Sequence, residues 1–286
     1  MKLVLPAEST LLGAIRLLIP GASNRTLRQM LERRRISLNG KIHKVAAHRV
    51  FPGDRLEVLV RGESRAGLHG LKIVFEDNDL LLVEKPSGLL TVATMHERDR
   101  TAYAFLREHL KERDPRLKLF VVHRLDKFAS GVLVFAKSEP VQSRLQELFS
   151  RHEIERRYWA IVEGRVARDQ GTIRSRLAEN PAQRMHSTKD AAKGKEAVTH
   201  YRVLRRFPQL TALEIRLETG RKNQIRVHLS EMGHPIAGDR AYGGTSDPMG
   251  RLGLHAFLLA FRHPGSAAPV RHQTGIPPEF ARYLPK

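Results

Sequence analysis

The sequence predicts an α+β protein in which a mixed, largely antiparallel sheet follows a small helix-plus-hairpin domain. Hydrophobic residues make up 41% of the 286 residues, which is enough to bury a sizeable core. Short strand-like runs outnumber the clear helices, and the two do not alternate as they do in parallel α/β folds. A Gly-rich, charged segment without periodicity predicts a linker over 63–70, between a domain at 1–62 and a domain at 71–286.

The composition excludes several classes of protein and favours a polyanionic partner. The chain has no cysteine, which excludes disulfides, thiolate metal sites and cysteine nucleophiles and favours the reducing cytoplasm. No segment approaches the run of about 20 apolar residues that a membrane-spanning helix needs. The formal net charge of +20 favours nucleic acid over lipid, because no amphipathic anchor is evident. A generic basic surface is the alternative interpretation.

The small domain is predicted to contain a basic helix that begins at Ser23 or Asn24. Its apolar residues recur at helical spacing and predict a buried face: Leu27, Met30 and Leu31. Its arginines are candidate contacts to a phosphate backbone: Arg25, Arg28, Arg33, Arg34 and Arg35. A solvated helix face is the alternative interpretation of these charges.

A hairpin follows this helix. The strand-like residues 36–38 lead into Asn39-Gly40, a dipeptide that tolerates positive φ at both central positions of a two-residue turn. Lys41, directly after the turn, is another candidate phosphate contact. A second turn at 52–54 precedes an alternating strand at 55–60.

The second domain is predicted to combine seven short strands with two helices. The strands are Lys72 to Glu76, Leu80 to Val83, Phe120 to Val122, Val132 to Ala136, Tyr158 to Val162, Ala197 to Leu204 and Thr211 to Leu217. The helices are about Thr101 to Arg113 and about Ser138 to His152. Because strands dominate, a sheet forms the core of this domain.

Two clusters of charged residues interrupt apolar segments of this domain. The first cluster, in residues 121–137, lies between two apolar strands, with a turn predicted at Ser130-Gly131. Asp126 in this cluster could face a cleft at the rim of the sheet. An exposed turn with an ion cluster is the alternative. In the second, residues 217–229, a helix beginning near Asn223 could direct Arg226 towards a phosphate or a carboxylate. A partly buried amphipathic helix is compatible with that interpretation.

The chain offers no pattern for a metal or a cofactor. Its 14 histidines are scattered, without a pair of closely spaced ligands flanked by carboxylates. Gly-rich phosphate loops are missing as well. We therefore expect ordinary side chains to carry the chemistry, with no metal and no cofactor.

Two resemblances to known families refine these expectations. The order of basic helix, Asn-Gly turn and terminal strand over about residues 10–60 resembles the small RNA-binding module of the ribosomal protein S-four family. Residues 70–280 closely resemble the RluA-type pseudouridine synthases. Four separated motifs carry this resemblance, namely His123-Arg124-Leu125-Asp126, Gly220-Arg221 with Gln224 to His228, His234-Pro235 with Gly238-Asp239, and Leu254-His255-Ala256, and Lys85-Pro86-x-Gly88 also fits.

The second resemblance implies a catalytic domain of pseudouridine synthase fold and an RNA uridine isomerase. It implies that Asp126 is the catalytic aspartate, Tyr158 the active-site tyrosine, Arg226 the partner of the aspartate and Arg124 the arginine that helps to displace the target base. We expect Arg226 to lower the pKa of Asp126 and keep it charged. Arg221 and Lys222 are further candidate RNA contacts.

The substrate and partners remain expectations at this point. Family members with the same N-terminal module favour large-subunit ribosomal RNA, and transfer RNA is the second candidate. A non-catalytic RNA-binding or ribosome-assembly factor is the rival from another class. No obligate protein partner and no membrane are evident, and we expect a cytoplasmic monomer.

Overall fold

The structure of the protein is a computed structural model that describes residues 2–32, 36–58 and 69–285. The chain divides into two compact units, Met1–Gly67 and Leu68–Lys286. Residues 63–68 of the predicted linker lie outside the described residues, as do Arg33, Arg34 and Arg35. The domain boundaries at 62 and 71 therefore stay predictions.

The first unit combines six short strands with two helices within its described part. Its elements in chain order are β1 (Lys2–Val4), β2 (Ser9–Thr10), α1 (Leu11–Leu18), α2 (Asn24–Glu32), β3 (Ile36–Leu38), β4 (Lys41–Ile42), β5 (Arg49–Val50) and β6 (Arg55–Val58). Four strands pair in the order β1-β6-β3-β4, all antiparallel, and β2 pairs with β5.

Local sequence accounts for the helix and the turn predicted in this unit. Ser23 caps α2, since its Oγ accepts a hydrogen bond from the backbone N–H of Thr26 at 3.2 Å. The three apolar residues predicted for the inner face of α2 are buried. Asn39 and Gly40 have φ of 52° and 80°, so the predicted turn with two positive φ values is confirmed.

The second unit is built mainly from strands. Its helices are α3 (Ala102–Arg113), α4 (Glu139–Ser150) and α5 (Gln224–Glu231). Its strands are β7 (Lys72–Glu76), β8 (Leu80–Lys85), β9 (Phe120–Val121), β10 (Ser130–Ala136), β11 (Glu155–Glu163), β12 (Gln170–Glu179), β13 (Met185–Thr188), β14 (Lys195–Arg206), β15 (Leu210–Leu217), β16 (Leu254–Arg262) and β17 (Pro269–Gln273). No helix in the described ranges is long and apolar enough to cross a membrane.

These strands form one mixed sheet within the described residues. Its order is β13-β12-β14-β15-β11-β16-β10-β8-β7, with β9 beside β10 and β17 beside β16. The pair β10–β16 is parallel and the other pairs are antiparallel. The predicted fold class, α+β with a largely antiparallel sheet, is confirmed.

The turn predicted at Ser130-Gly131 is wrong. These residues are the first two of β10 and pair with His255 and Ala256 of β16. Gly131 has φ of +119°, and a β-carbon there would overlap the backbone of Ala256, so the close parallel pairing requires glycine. The turn lies earlier, at Lys127 and Phe128.

Apolar residues on both faces of the central strands explain their burial. Alternate residues of β8 point in opposite directions, so that Leu81 and Val83 join the core that contains α3 and α5, whereas Leu80 and Leu82 join the core that contains α4. Covered on both faces, the central strands leave their ends and connecting loops as the places where polar groups can gather.

Candidate active site

A cavity of about 570 Å³ brings together the two charged clusters found in the sequence. Its walls come from the connection between β9 and β10, residues 122–129, from the turn between β15 and α5, and from the first residues of β11. Asp126, Tyr158 and Arg226 all line it. The interpretation of Asp126 as part of an ordinary exposed turn is therefore wrong.

Buried neighbours hold the backbone around Asp126. Leu125 is buried, and it exchanges two hydrogen bonds with the hydroxyl of Thr91, through its N–H at 3.1 Å and its carbonyl at 2.8 Å. Ala129 is buried on the other side of the turn. Asp126 thus stands on a fixed loop, which is what a reactive side chain needs if it is to keep its position.

Lys85, at the end of β8, also fixes the loop that carries Asp126. Its side chain is fully buried and its Nζ donates to four backbone carbonyls, those of Pro86 at 2.9 Å, Leu89 at 2.7 Å, Lys127 at 3.2 Å and Ala129 at 2.6 Å. Burial lowers the pKa of Lys85 to about 7, while the charge of Asp126 opposes this change. Sequence reasoning noted Lys85 as a motif residue and missed this role, although a lysine closing an apolar strand was a signal.

Arg226, in the first turn of α5, has a stronger partner than Asp126. Its Nε and Nη2 donate to the two carboxylate oxygens of Asp239, both at 2.7 Å, whereas Nη1 lies 3.5 Å from Asp126 Oδ2. Nη1 also donates to Asn223 at 3.1 Å, and the guanidinium lies 4.7 Å from the centre of the Tyr242 ring. The predicted pairing of Arg226 with Asp126 is present, but Asp239 fixes the arginine.

Asp239 is the functional residue that sequence reasoning left without a role. Its carboxylate is almost fully buried, with 2% of the side chain exposed, and it contacts Arg226 on two atoms. Gly238-Asp239 was visible as a motif, but the partner is 13 positions earlier on another element. Only the folded chain brings the two together.

The predicted direction of the Asp126 pKa is wrong. Burial raises the pKa of Asp126, and the nearby Arg226 and Arg124 oppose this rise without reversing it. The ion pair between Arg226 and Asp126 is long because Nε and Nη2 of the arginine already bind Asp239. Asp126 is consequently a more basic carboxylate than an ordinary surface aspartate.

Tyr158 lies in β11 with its hydroxyl available to the cavity. The residue is 7% exposed, and its hydroxyl has no hydrogen-bond partner among the described residues. Burial raises the pKa of Tyr158, so the phenol stays protonated near neutral pH. The cavity therefore contains one carboxylate and one neutral phenol whose hydroxyl is free to meet a ligand.

Two histidines near the cavity, His123 and His255, are structural. His123 Nε2 accepts the backbone N–H of Val134 at 3.1 Å, and burial lowers the pKa of His123 to about 3. His255, which shares hydrogen bonds with Ser130 and Thr274, also has its pKa lowered to about 3 by burial. Both imidazole rings are neutral and hydrogen-bond to neighbouring groups within the core.

The other predicted RNA contacts lie partly in the second unit and partly in the first. Arg124 and Arg221 are exposed and line the cavity, and Arg221 Nε donates to the carbonyl of Glu196 at 2.9 Å. Lys222 forms an ion pair with Glu179. In the first unit, three predicted residues are exposed: Arg25, Arg28 and Lys41. Their roles in RNA binding stay predictions.

Comparisons with known proteins agree with this geometry. A sequence model of the family described as RNA pseudouridylate synthase matches residues 79–231. The protein named Ribosomal large subunit pseudouridine synthase D from Pasteurella multocida (strain Pm70) is 31% identical over 285 residues, which covers 93% of this chain and 87% of that protein. The protein of the same name from Escherichia coli (strain K12) gives the same values.

A solved structure shares the architecture. Human RNA Pseudouridylate Synthase Domain Containing 1 matches with a TM-score of 0.60 and 26% identity, covering 74% of this chain and 86% of that chain. The matched sequence range 79–231 contains the cavity residues Asp126, Tyr158 and Arg226. Similarity of this extent, together with an arrangement of aspartate, tyrosine and arginine in one cavity, shows that the chain belongs to the RNA pseudouridylate synthase family and is an RNA pseudouridine synthase.

Proposed function

We propose that this enzyme converts specific uridines of large-subunit ribosomal RNA to pseudouridine with Asp126 as its catalytic carboxylate. The observation that carries the proposal is the placement of Asp126 in a cavity beside an arginine that Asp239 holds in a fixed orientation. The name of the relatives, Ribosomal large subunit pseudouridine synthase D, supports the class of RNA.

The reaction breaks the bond from ribose C1′ to uracil N1, turns the detached ring and rejoins it through C5. The sugar becomes electron-poor as the base leaves. The ionised carboxylate of Asp126 can meet this change as a nucleophile at C1′, as a base for the neighbouring sugar proton or as a stabilising charge. Its raised pKa favours the first two roles, because a more basic carboxylate is a better nucleophile and a better proton acceptor.

Tyr158 supports the steps that follow cleavage. Its ring offers an apolar surface for the uracil, and its protonated hydroxyl can pass a proton once the base has rejoined the sugar through C5. Apolar side chains from four elements or loops line the same cavity, namely Leu125, Leu217, Ile225 and Leu254. Such a lining limits access of water, which would otherwise trap the sugar and turn isomerisation into hydrolysis.

RNA must deliver its uridine to this cavity as an unstacked base. Flipping a paired nucleotide costs a few kcal/mol, and Arg124, exposed beside Asp126, can occupy the space that the base leaves. We assign the first unit to phosphate contacts through Arg25, Arg28 and Lys41, as expected for an S-four-like module. The absence of cysteine supports work in the cytoplasm, and one chain supplies Asp126, Tyr158 and Arg226, which supports a monomer.

The test is to map pseudouridine after incubating transcribed large-subunit ribosomal RNA, or transcribed transfer RNAs, with purified enzyme. We expect specific sites in the ribosomal transcript. Asp126→Asn should bind the same RNA but act roughly 10⁴-fold more slowly or not at all. Asp169→Asn is the matched control, because Asp169 is an exposed aspartate that pairs with Arg206.

Modification confined to the transfer RNAs would replace the proposed substrate with the alternative one. If Asp126→Asn modified either RNA at the wild-type rate, the assigned role of Asp126 would be wrong.

A further inference from the structure

Arg156, on β11 two residues before Tyr158, is a buried cation without an anionic partner in the part of the chain that the structure describes. Its side chain is 7% exposed and lines the same cavity as Asp126. Its Nη2 donates to the backbone carbonyl of Glu218 at 3.0 Å, whereas its Nε is buried and has no hydrogen-bond partner among residues 2–32, 36–58 and 69–285. Within the described residues, Arg156 forms no ion pair.

The surroundings of Arg156 make room for the guanidinium rather than neutralise it. The Phe149 ring lies 5.2 Å from its Cζ, and a β-carbon at Gly220 would approach Nη1 to 2.5 Å, so the glycine leaves space that the guanidinium occupies. Taking a charge out of water without a partner is costly. Arg226 offers the comparison, since Asp239 neutralises that arginine on two atoms. The cavity is where Arg156 can meet an anion.

The proposed reaction creates an anion beside Arg156. When the bond from C1′ to N1 breaks, its electron pair remains on the uracil and spreads over N1, O2 and O4. We propose, on the basis of that function, that Arg156 donates hydrogen bonds to an oxygen of the detached uracil and stabilises its charge until C5 rejoins C1′. The proton lost from C5 is then matched by one gained at N1, and Arg156 itself neither gains nor loses a proton.

The position of Tyr158 supports this occupant. Tyr158 provides the proposed apolar surface for the uracil, and the charge of Arg156 is close enough to oppose the rise in the pKa of Tyr158 that burial causes. A ligand that touches the Tyr158 hydroxyl is thus within the electrostatic reach of Arg156. A backbone phosphate is the competing anion, but Arg221 and Arg124 are exposed and better placed for the outside of the RNA.

The two anions predict different kinetics. A phosphate carries its charge throughout the reaction, so losing its partner weakens RNA binding. The uracil becomes charged only after cleavage begins, so losing its partner slows the chemical step. The experiment measures RNA Kd and the single-turnover rate at saturating RNA for wild type, Arg156→Gln and Arg156→Lys, with whichever RNA the wild-type enzyme modifies. A wild-type enzyme that modified no RNA would contradict the proposed function before Arg156 was tested.

For Arg156→Gln we expect a single-turnover rate about 10²–10³-fold lower, with RNA Kd within about 3-fold of wild type. Arg157→Gln is the matched control, because Arg157 is the next residue of β11 and pairs with Glu155 and Glu214. That variant should retain the wild-type rate. A weakened Kd with an unchanged rate would instead assign Arg156 to a phosphate and overturn the proposal.

A substituted substrate separates charge stabilisation from a purely structural role. The fluorine of 5-fluorouridine stabilises the uracil anion, so cleavage of its bond from C1′ to N1 depends less on Arg156. We expect the rate deficit of Arg156→Gln to be smaller on RNA with 5-fluorouridine at the target position, measured as loss of the N1-linked nucleoside after nuclease digestion. Arg156→Lys, which keeps a cation in the core, should show the same trend. Equal deficits on both substrates would overturn the proposal.

Discussion

The two units of the chain use basic residues in opposite ways. In the first unit, Arg25 and Arg28 stand on the outer face of α2 and are exposed to water. In the second, Arg226 is largely buried and held by the two hydrogen bonds that it donates to Asp239. Exposed cations attract a polyanion without fixing its geometry, whereas a clamped cation fixes geometry and adds little long-range attraction. On the proposed function, the comparison predicts that the arginines of the first unit contribute affinity and Arg226 contributes to catalysis.

Among the changes that test this comparison, the largest effect should follow from loosening the clamped arginine. Asp239→Asn keeps the size of the side chain but removes the charge that orients Arg226, so Asp126 loses its fixed neighbour. We expect a single-turnover rate about 100-fold lower at saturating RNA, with little change in RNA Kd. Asp239→Glu restores the charge and should recover part of the rate. If RNA binding weakened and the rate did not change, Asp239 would contribute to RNA affinity and not to the chemical step.

A second effect concerns the stability of the free enzyme. Folding raises the pKa of Asp126. At a pH between the pKa of Asp126 in the unfolded chain and its pKa in the folded protein, the folded protein binds more protons. The free energy of unfolding therefore falls as pH rises through this window. Asp126→Asn removes this cost. We expect a higher Tm than wild type near neutral pH, and a difference that shrinks in acidic buffer approaching the ordinary carboxyl pKa. Thermal unfolding of both proteins across pH tests it, and a lower Tm for the variant at neutral pH would contradict it.

The smallest effect should come from the exposed arginines. Replacing Arg25 and Arg28 with glutamine should weaken RNA binding several-fold at low salt and reduce the slope of log K against log salt concentration by about 1–2. The single-turnover rate at saturating RNA should not change. Titrations at several salt concentrations provide the measurement, with Arg49→Gln, an arginine paired with Glu8, as the control. A lower rate at saturation would show that the first unit does more than attract RNA.

The fold was readable from sequence where local rules decide the structure. The Asn39-Gly40 turn and the strands β7 and β15 follow from residue type and alternation. Two long strands escaped prediction for different reasons. β12 (Gln170–Glu179) is mostly polar, with one buried residue, so it lacks an apolar pattern. β16 (Leu254–Arg262) contains the apolar run 256–261, which periodicity alone cannot distinguish from a buried helix.

The site was readable only as a set of residues. Sequence motifs, through a family resemblance, indicated Asp126, Tyr158 and Arg226, and the structure brings all three to one cavity. The hydrogen bonds from Arg226 to Asp239, and the lack of a described anion beside Arg156, depend on which elements meet in space. The net direction of the Asp126 pKa depends on burial, which a residue list does not contain.

Backbone carbonyls surround the ammonium group of Lys85 as the oxygens of a crown ether surround a cation. The oxygens that surround its ammonium group are all backbone carbonyls, two of them from Lys127 and Ala129. The shape of the loop that carries Asp126 is therefore set largely by main-chain atoms and depends little on the exposed side chains at 127 and 128. Positions 127 and 128 are therefore open to redesign of substrate choice while Asp126 keeps its place.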